Sequence, residues 1–273
     1  MALKQSILLL VYRSILLYQR SHSRIYDTGN PIVAPQAPIE LACVVATVKQ
    51  LEAENLTTTH MISLGGWNAP HPTTANPITG KTYTAQEMYD AFNTWNIELA
   101  KQYGWNGFDG IDWDMEGANE VSSPINEFTV DCLNLVGQLS QLAKADGYIV
   151  SLVPPESYFD PTTGNFSRSL LFDYPEWAPL VSFYYHGRNA YAYMFSRYGE
   201  STLNGLTVPT FDFVTFQLYE TYSHADYNIT VAGMPGSEYL VNIVNRFIDG
   251  WMVEFAMDPS VDYPSKVTCV FCA

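Results

Sequence analysis

What this chain has little of narrows its role first. Lys and Arg together number 13 against 28 Asp and Glu, for a formal net charge of −15. Binding along a phosphate backbone depends on cationic side chains that displace counterions, so no nucleic-acid partner is expected. The acidic surplus suits a neutral or cationic substrate, although charge alone speaks mainly to solubility. Cysteine is scarce: Cys43, Cys132, Cys269 and Cys272 are too few for a disulfide-stapled scaffold. Cys132 falls in a helical pattern and reads as a small buried apolar residue. Cys269-x-x-Cys272 suits a redox pair or half of a zinc site, but two further ligands at metal spacing are missing. The five histidines (His22, His60, His71, His186 and His224) show no ligand spacing, so no metal is expected. Long apolar runs are also missing. The best stretch, residues 4–18, is broken by Arg13 and falls short of the roughly 20 residues a membrane span needs. No internal repeat or low-complexity tract is present.

Core-forming residues, by contrast, are plentiful. Hydrophobic residues make up 47% and aromatics 14%, including 19 Tyr and 6 Trp. Aromatic faces suit sugar rings, and equally suit a tyrosine-rich core. A length of 273 residues is ordinary for a single α/β barrel. Residues 1–40 read as an N-terminal segment: a degenerate secretory signal or a first strand over 4–18, then a polar loop. Three sequons at Asn55, Asn165 and Asn228 lean toward the secretory pathway or an extracellular location.

From residue 41 on, strand and helix patterns alternate. Val44–Glu54 has helical spacing, and His60–Leu64 is an apolar strand stopped by Gly65-Gly66. Residues 68–84 form a surface loop. Thr84 with Glu87 makes a capping box that opens a helix running to about Gln102. Phe108–Met115 is a strand. Ser123-Pro124 predicts the start of a helix that ends near Asp146-Gly147, and Tyr148–Val153 is a short buried strand. Val181–Tyr185 and Phe211–Tyr219 read as further strands, and Gly236–Ile248 as a helix. This order argues for a parallel sheet with covering helices.

The chemistry concentrates in Asp109-Gly110-Ile111-Asp112-Trp113-Asp114-Met115-Glu116. Successive side chains of a strand point to opposite faces, so Asp112, Asp114 and Glu116 share one face while Ile111, Trp113 and Met115 share the other. Three acids crowded on one face repel each other, a cost that points to function. Glu116 closes the strand and suits a proton donor, because neighbouring carboxylates disfavour its ionised form. Asp109 sits in the opposite register and reads as structural, binding the strand entry. Taken alone, D-x-D-x-E also suits Mg2+ or Ca2+ held through oxygen.

FDGIDWDMEG (residues 108–117) resembles the D-G-x-D-x-D-x-E signature of family 18 glycoside hydrolases, the chitinases. Ser63-Leu64-Gly65-Gly66-Trp67 is similar to that family's S-x-G-G motif, and Gln217-Leu218-Tyr219 to its Q-x-Y motif. A general-acid site explains all three together. The resemblance implies a (β/α)8 TIM-type barrel over residues 41–273, no cofactor, and retaining hydrolysis of β-1,4-linked N-acetylglucosamine polymers by a monomer. It also implies that Glu116 protonates the glycosidic oxygen while the substrate's own acetamido oxygen attacks, an exception to the usual two-carboxylate scheme. Asp114 would then hold the acetamide N–H, Asp112 would tune Asp114 by sharing a proton, and Tyr219 would position the acetamide oxygen.

Around these acids, Gln217, Trp67, Glu156, Gly66 and Trp251 are candidates for substrate contact. Trp67 has the better claim to stack under a sugar, since Trp251 also fits the core, and Glu156 also fits a solvated loop. Gly65 and Gly66 suit either a close backbone approach or a simple turn. Three features depart from the family. Its last-strand tryptophan has no clear match unless Trp251 or Phe255 substitutes, only residues 220–273 remain for two further βα units after Tyr219, and the N-terminal side is thin, so a barrel incomplete at both ends is expected. Two other functions fit the same residues: a chitinase-like sugar-binding protein without turnover, and an endo-β-N-acetylglucosaminidase acting on N-linked glycans.

Overall fold

A computed structural model describes residues 41–76, 79–120, 122–170, 189–220, 223–261 and 267–269. Helix α1 (Leu41–Ala53) leads into strand β1 (Met61–Gly66), helix α2 (Ala85–Tyr103) and strand β2 (Gly110–Met115). Helix α3 (Val130–Ala145), strand β3 (Ile149–Leu152) and helix α4 (Ala190–Arg197) follow. The hairpin β4 (Glu200–Leu203) and β5 (Leu206–Pro209) then precedes β6 (Phe213–Val214). A single turn α5 (His224–Asp226), helix α6 (Gly236–Asp249), and strands β7 (Trp251–Val253) and β8 (Val267–Cys269) complete the order.

The central sheet runs β1-β2-β3-β6 with every pair parallel. The fold is therefore mixed α/β around a four-stranded parallel sheet. No closure into a barrel is seen among the described residues. The final units differ from a parallel βα repeat, since β7 pairs with β8 antiparallel. The expected strand at Val181–Tyr185, the segment 1–40 and Cys272 lie outside the described residues. Among the described residues, no helix is long and apolar enough to cross a membrane.

Local chemistry explains the elements that position the acids. Thr84 Oγ1 accepts from the Glu87 N–H while Glu87 accepts from the Thr84 N–H, closing a capping box on α2. Gly104 ends the helix in the left-handed region at φ 63°. Asn96 of α2 then acts as a substitute strand partner. Its buried amide accepts from Phe108 N–H at 2.8 Å and donates to Phe108 C=O at 2.9 Å, pinning the approach to β2. Ile62, Leu64, Ile111 and Trp113 meet Met88, Phe92 and Leu139 of α2 and α3, so the helices cover one sheet face. The Trp113 indole N–H, buried there, donates to Ser140 Oγ at 2.9 Å.

The helix expected from Ser123-Pro124 begins later. Pro124–Asn126 is one 3-10 turn, after which Phe128 N–H donates to Arg168 C=O and Leu170 N–H to Asn126 C=O. That antiparallel bridge, Glu127 opposite Ser169, holds Glu127 extended, and α3 starts once Thr129 Oγ1 caps the Cys132 N–H. The strand expected over Phe211–Tyr219 is regular only at Phe213–Val214, with an isolated parallel bridge carrying the pairing on at Pro155 and Gln217.

Candidate active site

The three acids stand at the C-terminal end of β2, on the sheet face opposite α2 and α3. Asp112 is half-buried, and Asp114 and Glu116 are each 8% exposed. Ser63 Oγ donates to Asp112 Oδ2 at 2.9 Å, and Ser151 Oγ donates to Asp112 Oδ1. Each hydroxyl comes from the strand neighbouring β2, at the register position opposite Asp112. The two donations favour an ionised Asp112, but burial outweighs them and raises its pKa.

Asp114 does not share its bond with Asp112. A side-chain hydrogen bond joins it to Glu116, and its Oδ1 accepts from Gln217 Nε2 at 2.7 Å. Asp112 acts on Asp114 through charge instead. Burial first, then that neighbouring charge, lifts the Asp114 carboxyl to about 6. Burial likewise lifts Glu116 to about 8, reinforced by the Asp114 charge, the bond to Asp114 and the Glu220 carboxylate. Burial and their mutual charge disfavour ionising both acids at once, so near neutral pH the hydrogen-bonded pair holds one proton between them.

Glycines set the distance between strands here. A Cβ on Gly65 would stand 2.0 Å from the Asp114 carbonyl oxygen, and its φ is +128°. Gly65 therefore allows β1 to approach the acid-bearing backbone. A Cβ on Gly110 would stand 2.2 Å from the Ile149 carbonyl oxygen, so β2 and β3 close in the same way. Gly66 has a positive φ of 95° with open space around it, which is a turn requirement. Asp109 ties the strand entry: its Oδ2 accepts from His60 N–H at 2.8 Å.

The other candidate residues divide. Gln217 directs both amide hydrogens to protein acceptors, Asp114 Oδ1 and Val153 C=O, each at 2.7 Å. The expectation that it reaches substrate gives way to a role in holding Asp114. Tyr219 is 78% exposed, and its hydroxyl donates to Gln217 Oε1. Trp67 is half-buried, with its indole N–H on Asn119 Oδ1 at 2.9 Å.

Trp251 is not a cleft residue. It packs edge-on to Phe159 and Phe247 in the main core, with ring centres 5.1 and 5.4 Å away. Glu156 is neither solvated nor open to a cleft. It is fully buried, accepting from Tyr239 Oη, from Ala225 N–H at 2.9 Å and from Ser223. A carboxylate enclosed by three donors has no face left for a sugar.

Several neighbours of the acids carry no signal in the sequence. His71 stacks on Phe128 at 4.4 Å and bonds the Glu116 carbonyl oxygen at 2.8 Å. Because that partner only accepts, the Nε2 atom carries a proton. Asn126 Oδ1 accepts from Ala118 N–H at 2.7 Å and Nδ2 donates to Glu120 C=O at 2.8 Å, bracing the loop after Glu116. Glu220 is fastened by Ser157, through N–H at 2.9 Å and Oγ at 2.6 Å. A cavity of about 480 Å3 lies at the other end of the strands, lined by Trp105, Phe108, Asp109, Asp146 and Tyr148, away from the acids. Among the described residues, no three His, Cys, Asp or Glu side chains converge in a way that could hold a metal ion.

No protein-family model, no curated protein and no solved structure matches this chain.

Proposed function

We propose that this chain is a glycoside hydrolase cleaving β-1,4-linked N-acetylglucosamine polymers, on a scaffold of (β/α)8 type, as a secreted monomer. One observation carries the reading. Glu116 is a nearly buried carboxyl at the C-terminal end of a parallel strand, bonded to a second acid that favours its protonated form. Such a group keeps its proton near neutral pH and releases it when charge develops on a leaving oxygen. The unreversed strand order β1-β2-β3-β6 supports the barrel, since a doubly wound sheet reverses direction at its switch point.

In this reading Glu116 donates its proton to the glycosidic oxygen as the acetamido oxygen of the same sugar attacks C1 and the C1–O bond breaks. Asp114, held by Gln217, accepts the acetamide N–H and balances the positive charge of the resulting oxazolinium. Tyr219 transfers its hydroxyl donation from Gln217 Oε1 to the acetamide oxygen. Water then attacks C1, giving a proton back to Glu116, and the two inversions retain configuration.

The test is release of a fluorescent leaving group from a chitobiose glycoside by wild type and Glu116→Gln. Turnover in wild type and its loss in the variant support the hydrolase. Chitin-oligomer binding with no turnover in either protein would instead identify a sugar-binding protein. Cleavage of glycopeptides but not chitin would identify an N-glycan endoglycosidase.

A further inference from the structure

The acid row ends where β2 and β3 separate. Their register runs to Trp113 opposite Leu152, and one more rung follows, from Val153 N–H to Trp113 C=O at 2.8 Å. The next rung of a parallel ladder would take Met115 N–H to Val153 C=O. Both halves of that rung are occupied by side chains. Met115 N–H donates to Tyr191 Oη at 2.6 Å, and Val153 C=O accepts from Gln217 Nε2 at 2.7 Å. The second Nε2 hydrogen of Gln217 goes to Asp114 Oδ1.

Tyr191 arrives from α4, 76 residues beyond Met115 in sequence. It is fully buried, and its hydroxyl proton goes to Met115 C=O at 2.9 Å. Phe128 and Tyr158 pack around its ring, with centres 6.1 and 6.5 Å away. A phenol this enclosed, both accepting from and donating to the one residue between Asp114 and Glu116, fixes that stretch of backbone. Burial also pushes the phenol well above its ordinary pKa, so it stays a neutral donor and acceptor.

We infer that Tyr191 is a positioning residue of the acid pair: its hydroxyl holds the end of β2 off β3, which leaves the Val153 carbonyl to Gln217 and seats Gln217 against Asp114. The consequence for turnover rests on Glu116 being the proton donor; the geometric role does not. Without the hydroxyl, Met115 N–H is drawn to Val153 C=O, the rung the ladder would otherwise make, displacing Gln217. That displacement removes a Gln217 hydrogen bond that favours the ionised carboxylates.

The experiment uses the full chain with 13C-labelled Asp and Glu carboxyls, in wild type, Tyr191→Phe and Gln217→Leu. Both variants should shift the Asp114–Glu116 titration upward by about half a unit or more, roughly a threefold gain in proton affinity. A titration unchanged in Tyr191→Phe overturns the inference, as does a shift there that Gln217→Leu does not share. If Tyr191→Phe does not fold, wild type decides. The Tyr191 hydroxyl proton should exchange slowly and show a nuclear Overhauser contact to the Met115 amide, and absence of that contact overturns it. Turnover of the chitobiose glycoside, measured alongside, separates the two readings. An inactive wild type counts against the hydrolase and leaves the titration result intact. In an active one, Tyr191→Phe should lower kcat with little change in KM.

Discussion

Replacing Glu156 with Gln should change how stability depends on pH, and the size of that change can be worked out beforehand. Glu156 follows β3, fully buried, where it gathers Ser223, the α5 backbone at Ala225 and Tyr239 of α6. Burial raises its carboxyl from 4.5 to about 7, against the opposing pull of Tyr239 and Ala225, which bond the ionised form. In the unfolded chain it ionises near the ordinary value; in the folded chain it keeps its proton longer. The folded state therefore binds more protons across that interval. Stability from this group is greatest below about pH 4.5, declines as pH rises toward about 7, and levels off above. The full swing corresponds to about 3 kcal/mol.

Gln cannot ionise, yet fills the same space. Its oxygen can accept from Ala225 N–H while its amide donates to Tyr239 Oη, which accepts equally well. Urea unfolding of both proteins from pH 4.5 to 8 isolates the difference. The variant should gain on wild type by about 3 kcal/mol across the range, whatever offset the substitution introduces at the acid end. Parallel stability curves would refute the reasoning and mean that the donors around Glu156 fully offset its burial.

Glu116→Gln should reduce turnover by about 10^2–10^4-fold with the fold intact, the usual worth of a general acid, read from kcat and near-UV circular dichroism. In wild type, kcat/KM should fall below about pH 6, where the acid pair takes up a second proton, and above about pH 8, where it loses its last one. Both limbs belong to the pair, and a pH-independent rate between 5 and 9 would sink the assignment. Gly65→Ala should lower stability by about 1–3 kcal/mol, because the added methyl meets the Asp114 carbonyl and the backbone sits at positive φ. Asn96→Ala strands the Phe108 N–H and C=O, each about 1–3 kcal/mol if left unpaired, so its urea midpoint should drop well below that of wild type.

Local signals made part of this molecule legible. The alternation in Ile111–Glu116 places Trp113 against the helices and the acids on the opposite face, because a strand's period is two whatever surrounds it. The Thr84–Glu87 box is legible for the same reason: its partners lie three residues apart and make the same bonds in any context. Another local signal goes unread in the element pattern. Asn204-Gly205, with φ of 52° and 79°, turns the β4–β5 hairpin, and Asn-Gly between two four-residue strands is among the strongest hairpin cues. Spacing between apolar residues fails at Ser123, where the choice between helix and extended chain is made by backbone groups of 168–170, about 40 residues away.

The acid site divides along the same line. Motif residues Ser63, Asp112, Asp114 and Gln217 meet, yet what fixes them in place comes from elsewhere in the chain. Ser151 stands across the ladder from Asp112, Glu220 is clamped by Ser157, and Tyr191 enters from α4. None of these has a sequence pattern of its own, since a tyrosine on a buried helix face is the same letter whether it fills space or completes a ladder. Its role follows from an unpaired rung: two strands that stop bonding at Val153 must satisfy the Met115 N–H with something, and in a buried site that something is a side chain. Sheet ends that part over a row of acids are therefore where such residues should be sought.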